Sequence, residues 1–220
     1  MKLNELLNQA DEKKKQCNTE GENNFDIDLN SLRVQKIRDF YLKKDKDLTE
    51  KSFEKSILLL QKLAKQSLEE ISEYEFIQMY QTCSEEELFE DVEQMPLQNI
   101  YRTKVVYIFD TQVKASDAQE INHFMEHFIS QMQYSMKWMH PVEFAAMSHK
   151  RILDIQPFLK HNEFLSFLFL NRILISCGYP LTAMLGEDYE LYKNAYFATR
   201  GMNNPDIDSF TAVIAGCIGK

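Results

Sequence analysis

Glycine and proline are scarce in this 220-residue chain, with 6 and 5 copies, and most of the glycines fall in the last 50 residues. The motifs that wrap a glycine-rich backbone around phosphate, G-x-x-x-x-G-K-[S/T] and G-x-G-x-x-G, are absent, as is the G-x-S-x-G nucleophile turn. The 4 cysteines, Cys17, Cys83, Cys177 and Cys217, show no C-x-x-C spacing, which predicts reduced, mostly buried thiols rather than a disulfide framework or a zinc site. A basic excess is missing too. Against 34 acidic side chains stand 25 basic ones, a formal net charge of −9, and 22 of the acids lie in residues 1–100. That balance excludes a general nucleic-acid binder, whose affinity rests on a basic surface. No apolar run reaches the roughly 18 residues of a membrane span, because Arg172 interrupts the longest one. The N-terminus MKLNELLNQADEKKK lacks the apolar core of a secretion signal, so the expectation is a cytoplasmic protein with no membrane partner, or one exported without a cleavable leader.

What the chain does have is helical periodicity. A composition of 44% hydrophobic and 27% charged residues is that of an ordinary globular domain. Helices are predicted over 31–44, 48–66, 72–83, 115–138, 140–155 and 180–200, with a last one at 205–219 and a short one in the polar first 30 residues. Thr49 with Ser52 offers a helix start, and Pro141 suits a first helical turn. The acidic stretch 84–95, rich in Glu85, Glu86, Glu87, Glu90, Asp91 and Glu93, reads as a solvated face, with a docking patch for a basic partner as the alternative. RTKVVYIFD (102–110) is the single strand signal, β-branched and aromatic, and predicts a small hairpin lying against the helices. The fold class is thus all-α with one β-hairpin flap, in one structural domain: an N-terminal helical region (1–95) packed on a core (96–220).

The most informative stretch is ILDIQPFLKHNEFLSFLFLNRILISCGYP, from Ile152 to Pro180. Two apolar helices flank a polar island of Gln156, Pro157, Lys160, His161, Asn162 and Glu163. Pro157 disfavours helix at Gln156, and Asn162 is placed to cap the second helix. A loop aimed at a helix N-terminus favours anions. Elsewhere His123 and His127 have the i, i+4 spacing of a shared metal, but with no third ligand they read as helix-surface histidines. The carboxylates Asp154, Glu163, Glu187 and Asp188 form no recognisable acid/base pair.

The run from Asn99 to Pro180, and more weakly to about residue 215, resembles the core of the Fic family (Fic/Doc domain proteins). Ala145, Ala146, His149, Ile155, Pro157, Phe158, Asn162, Asn171, Gly178, Tyr179 and Pro180 keep their family places without a gap. The resemblance implies the Fido fold, a helical domain with a flap above the active loop, and descent from enzymes that transfer AMP. Mg²⁺ and ATP are expected only of an intact member, and no cofactor is expected here, because the departures fall on the chemistry. Gln156 stands where the family has its catalytic histidine, Lys160 where it has the metal-holding carboxylate, His161 and Glu163 where it has glycines, and Phe164 and Phe167 where it has arginines. An amide hydrogen-bonds but does not take up a proton near neutral pH, and losing a general base commonly costs ~10²–10⁴-fold.

Two readings follow from the resemblance. In the first, the chain has lost AMP transfer and binds: a protein partner along the flap at Thr103, Val105 and Tyr107, or a nucleotide or other phosphorylated ligand held by Asn162, Glu163 and Arg102. In the second it remains a transferase with changed chemistry, in which Lys160 or His161 leads and Lys160, His161, Asn162 and Arg102 make a cationic pocket. His149 reads as a hydrogen-bonded helix histidine and Phe158 as a core residue.

Overall fold

The computed structural model describes residues 2–19, 25–85, 100–201 and 205–220. Among them nine α-helices follow in order: α1 (Leu3–Thr19), α2 (Leu32–Lys44), α3 (Glu50–Ala64), α4 (Glu73–Ser84), α5 (Ile121–Ser135), α6 (Pro141–Ile155), α7 (Asn162–Ser176), α8 (Glu187–Ala198) and α9 (Ile207–Cys217). Most boundaries trace to local chemistry. Thr49 and Ser52 form a reciprocal capping box that starts α3, and Pro141 occupies the first turn of α6 behind a second capping box of His140 and Glu143. Gly178, at φ 84, ends α7 by letting the Tyr179 N–H reach back to the Leu174 carbonyl at 2.9 Å.

α6 and α7 form the central antiparallel hairpin. α3 and α4 pack on α7, α5 and α9 on α6, and α8 and α1 on α9. α7 carries Phe164, Phe167, Leu168, Phe169 and Leu170 on successive faces, and every residue from Phe164 to Ile175 is buried, as an all-round apolar helix must be. Within it Arg172 is fully buried and donates to Glu75 of α4 at 2.8 Å, so the one charge in the longest apolar run is answered by a carboxylate from another helix. Phe158 lies in the core, its ring stacked on Tyr80 at 3.6 Å between centroids. No described helix is long and apolar enough to cross a membrane.

Three expectations are corrected. No strand forms over 102–110. The flap is an irregular loop with one antiparallel bridge, Tyr107 to Lys114, because the β-branched run finds no second strand to pair with. The helix expected at 115–138 runs only over α5, preceded by a 3₁₀ turn at Ala118–Glu120 that Asp117 caps. The helix expected at 180–200 starts at Glu187, since the Asn171 side chain takes up both the N–H and the carbonyl of Thr182, at 2.7 and 2.9 Å. The 4 cysteines are unbridged, with Cys83 and Cys217 buried and Cys17 and Cys177 only partly so. Of the acidic stretch, the residues beyond Glu85 lie outside the described part.

Candidate functional site

The loop between α6 and α7 is shaped by two residues at positive φ, Gln156 (φ 44) at its entry and His161 (φ 62) at its exit. Asn162 does not cap α7 as expected. Its Oδ1 accepts from the Phe158 N–H at 3.0 Å while its Nδ2 donates to the Phe158 carbonyl at 2.7 Å, so the amide is fully engaged in pinning the loop. His161 is the residue that precedes the helix.

Beside this loop is a cavity of about 580 Å³. Three segments enclose it: the loop itself, with Gln156, Lys160 and Glu163; the C-terminal end of α2, with Lys44, Asp45 and Lys46; and the flap from Val106 to Thr111. The flap tip is a turn in which Phe109 (φ 51) and Asp110 (φ 55) are both left-handed and the Thr111 N–H bonds the Ile108 carbonyl at 3.1 Å. Non-glycine residues take that conformation at a cost. The Phe109 ring offsets it by lying edge-on to Tyr189, Tyr192, Tyr196 and Phe197, with centroids 5.1 to 6.3 Å away.

The cavity is electrostatically mixed rather than cationic: Lys44, Lys46 and Lys160 share it with Asp45, Asp110 and Glu163. Two side-chain contacts join the end of α2 to the loop. Lys44 Nζ is 2.8 Å from Glu163 Oε1, which also accepts from the Tyr189 hydroxyl at 2.8 Å. Asp45 Oδ2 is 2.7 Å from His161 Nδ1. Burial pushes the Glu163 carboxyl up to about 7, with Asp110 adding to the rise and Lys44 opposing it. The His161 ring has no exposed surface and its Nε2 has no partner, so the residue meets the cavity through its backbone and not through its imidazole.

Arg102 is not part of a cationic pocket, contrary to expectation. It is buried, and its guanidinium donates to four carbonyls: Gln156 (2.6 Å), Lys104 (2.6 Å), Ser116 (2.6 Å) and Ile155 (3.1 Å). A cation at the C-terminal end of α6 satisfies the last carbonyls of that helix and ties the flap to it. Of the flap residues expected to meet a target, Tyr107 borders the cavity, while Thr103 and Val105 do not and are exposed. His149 is buried, with Nδ1 2.8 Å from the Ser166 carbonyl and Nε2 2.7 Å from the Tyr192 hydroxyl. A carbonyl only accepts, so Nδ1 carries the proton and Nε2 receives the tyrosine O–H; burial holds the imidazole down at about 4. His123 and His127 stand with ring centroids 6.2 Å apart, and no group of three or more potential metal ligands gathers among the described residues. The sequence reading missed Lys44, Asp45, Phe109, Asp110 and Tyr189. Only the charge alternation at residues 43–47, where α2 ends, marked any of them.

A helical hairpin with a polar loop at its turn, covered by a flap, is the architecture of Fic domains. Solved structures share it: a Fic domain containing signaling protein from Bacteroides thetaiotaomicron (TM-score 0.58, 19% identity, covering 76% of this chain and 68% of that one) and Fic-1 from C. elegans (TM-score 0.59, 19% identity, 76% and 47%). IbpAFic2 covalently tethered to Cdc42 aligns with a TM-score of 0.57 at 12% identity, covering 86% of this chain and 62% of that one. The model of the Fic/DOC family matches residues 70–174, and over that stretch the chain is similar to that family. Its relatives include proteins named protein adenylyltransferase Fic. That of Nematostella vectensis is 29% identical over 119 residues, which are 53% of this chain and 26% of the relative. That of Drosophila ananassae is 34% identical over 82 residues, which are 37% and 16%. The chain thus spans about a quarter or less of the curated relatives it matches.

Proposed function

We propose that this chain is a Fic-fold binding protein that has given up AMP transfer. The observation that carries the reading is the identity of the groups at the cavity: Gln156 lines it at the place the family resemblance gives to the general base, and Glu163, in the first turn of α7, is paired with Lys44. A neutral amide takes no proton from a hydroxyl near pH 7, and the Glu163 carboxyl at the helix N-terminus opposes a polyphosphate whenever it is ionised, as it becomes when pH rises through about 7. Mg²⁺ with ATP does not fit these residues, because Lys160, at the place the family resemblance gives to a metal-holding carboxylate, repels a cation. His161, the alternative base, keeps its imidazole buried against Asp45.

The binding partner is a protein segment lying over the flap. Val105 (58% exposed), Tyr107 (50%) and Leu159 (56%) give this face three apolar side chains. With a single bridge in the flap, a partner meets side chains there rather than a ready strand edge. The solved complexes of IbpAFic2 with Cdc42 are of that other protein, and they make a protein partner the natural class to test.

The test is incubation of the purified chain with labelled ATP, and separately with the other nucleoside triphosphates, in Mg²⁺ and a cell lysate. No covalent label is expected on any protein, nor with Gln156→His. Label transferred by the unaltered chain overturns the reading. A thermal shift of several degrees with one nucleotide or sugar phosphate would instead establish a retained phospholigand, because ligand bound to the folded state stabilises it by mass action.

A further inference from the structure

A second recess, remote in sequence from the α6–α7 loop, lies between the first turns of α2 and the segment that joins α7 to α8. Its volume is about 520 Å³. Ile37, which is fully buried, together with Ala183 and Leu185 makes an apolar floor, and Leu32, 67% exposed, stands at the rim. Two cations on one side of α2, Arg33 and Lys36, overhang that floor at i, i+3 spacing. The carboxylate of Asp188 also borders the recess, but it is held by Lys220 at 2.6 Å. What remains is a local positive charge over apolar ground, in a chain whose net charge is −9.

Arg33 is the unusual member. It is half-buried, it makes no hydrogen bond or ion pair among the described residues, and the ionisable groups that act on it are the Cys17 and Cys217 thiols rather than any carboxylate. Burial consequently holds its guanidinium below the usual arginine range. Taking an arginine's charge further out of water is unfavourable unless an anion meets it, so a ligand that covers Arg33 must bring one. No acidic residue occupies the first turn of α2, so the partial positive charge of that helix end adds to the same field.

We propose that this groove binds an acidic segment of a partner protein, a carboxylate pairing with the Arg33 guanidinium while a neighbouring aliphatic side chain lies on Ile37, Ala183 and Leu185. A small anion would leave the apolar floor open, and an uncharged apolar segment would leave Arg33 unanswered. A segment with leucine or isoleucine next to glutamate or aspartate meets both, and Arg33 presents its planar fork to the carboxylate in two parallel hydrogen bonds.

The experiment is an amide NMR titration of the whole chain with a short blocked peptide that alternates leucine and glutamate. Saturable shifts are expected at residues 32–37 and 183–188, with a Kd on the order of 100 µM that weakens as salt is raised. Peptides with glutamate among glycines, or leucine among glutamines, are expected to bind at least tenfold more weakly, and Arg33→Glu to weaken the leucine–glutamate peptide by tenfold or more. If Arg33→Glu lowers the Tm by more than a few degrees, Lys36→Glu serves in its place and is expected to cost several-fold. Four results would overturn the proposal: shifts confined to other surfaces, unchanged affinity in these variants, an equal response to acetate or free glutamate, or capture by phosphatidylserine vesicles without peptide binding.

Discussion

Lys44 and Glu163 lie 2.8 Å apart between α2 and α7, the ammonium bonded to the carboxylate and laid over the Tyr189 ring at 4.0 Å. The pair joins two helices at the wall of the cavity, through residues 119 positions apart in sequence. Because the carboxyl is held up to about 7 in the folded chain, against an ordinary 4.5, the folded state binds its proton more tightly than the unfolded one.

That sign fixes the first prediction. The stability Glu163 contributes is full below about pH 4.5 and is lost as pH rises through 7, by at most roughly 3 kcal/mol at ~1.4 kcal/mol per pKa unit. Glu163→Gln removes this dependence. The Tm of the variant minus that of the parent should therefore rise steadily between pH 4.5 and 7.5; a flat difference would place the carboxyl at an ordinary pKa.

His149 acts in the opposite direction. Its imidazole, held down at about 4 by burial, is neutral between the Ser166 carbonyl and the Tyr192 hydroxyl, so its stability is present above pH 6.5 and lost as pH falls through 4. Over pH 4.5 to 6.5 the two slopes oppose each other. Glu163→Gln should leave a parent-like chain that gains stability with rising pH, and His149→Phe one that loses it. His149→Phe also removes two hydrogen bonds, so the slope of stability against pH in urea titrations is the readout, not its absolute level.

How far this site could be read from the sequence depends on the range of the interactions that build it. The capping box of Thr49 and Ser52, the first-turn Pro141 and the glycine behind α7 are local, and the helices they bound fall where the pattern places them. The family resemblance located the loop for the same reason, since its motif is contiguous. Arg102 was misjudged because a lone arginine next to a strand-like run gives no sign that four carbonyls will surround it. Asn162 was given the cap position because a capping signature is blind to a loop that folds back on itself. Lys44 and Asp45 meet the loop only through the packing of α2, and no local pattern carries that.

The Asn162 geometry makes a prediction that separates its two bonds. Asn162→Ala removes both and should cost about 1–3 kcal/mol, through an unpaired buried N–H and carbonyl at Phe158. Asn162→Asp keeps the acceptor for the Phe158 N–H but sets a carboxylate oxygen against the Phe158 carbonyl. At neutral pH it should be at least as destabilised as the alanine variant and should recover below pH 4, where the protonated acid donates again. Urea denaturation of both variants at pH 7 and pH 3.5, each read against the parent, measures this; an aspartate variant that matches the parent at pH 7 would show that the Nδ2 bond contributes nothing.

The flap tip gives the last prediction, because its two left-handed residues differ in what holds them. Asp110, at φ 55, carries the conformational cost with no ring contact to offset it, so Asp110→Gly should be neutral or stabilising by up to about 1 kcal/mol. Phe109→Gly relieves the same backbone cost at φ 51 but removes the ring from among Tyr189, Tyr192, Tyr196 and Phe197, and the lost packing of roughly 3 kcal/mol should prevail. Hydrogen exchange locates the effect. The Ile108 and Ala115 amides, bonded to the Val113 and Val106 carbonyls, should exchange at least tenfold faster in Phe109→Gly and unchanged or slower in Asp110→Gly. Equal exchange in the two variants would mean that backbone geometry, and not the aromatic nest, keeps the flap over the cavity.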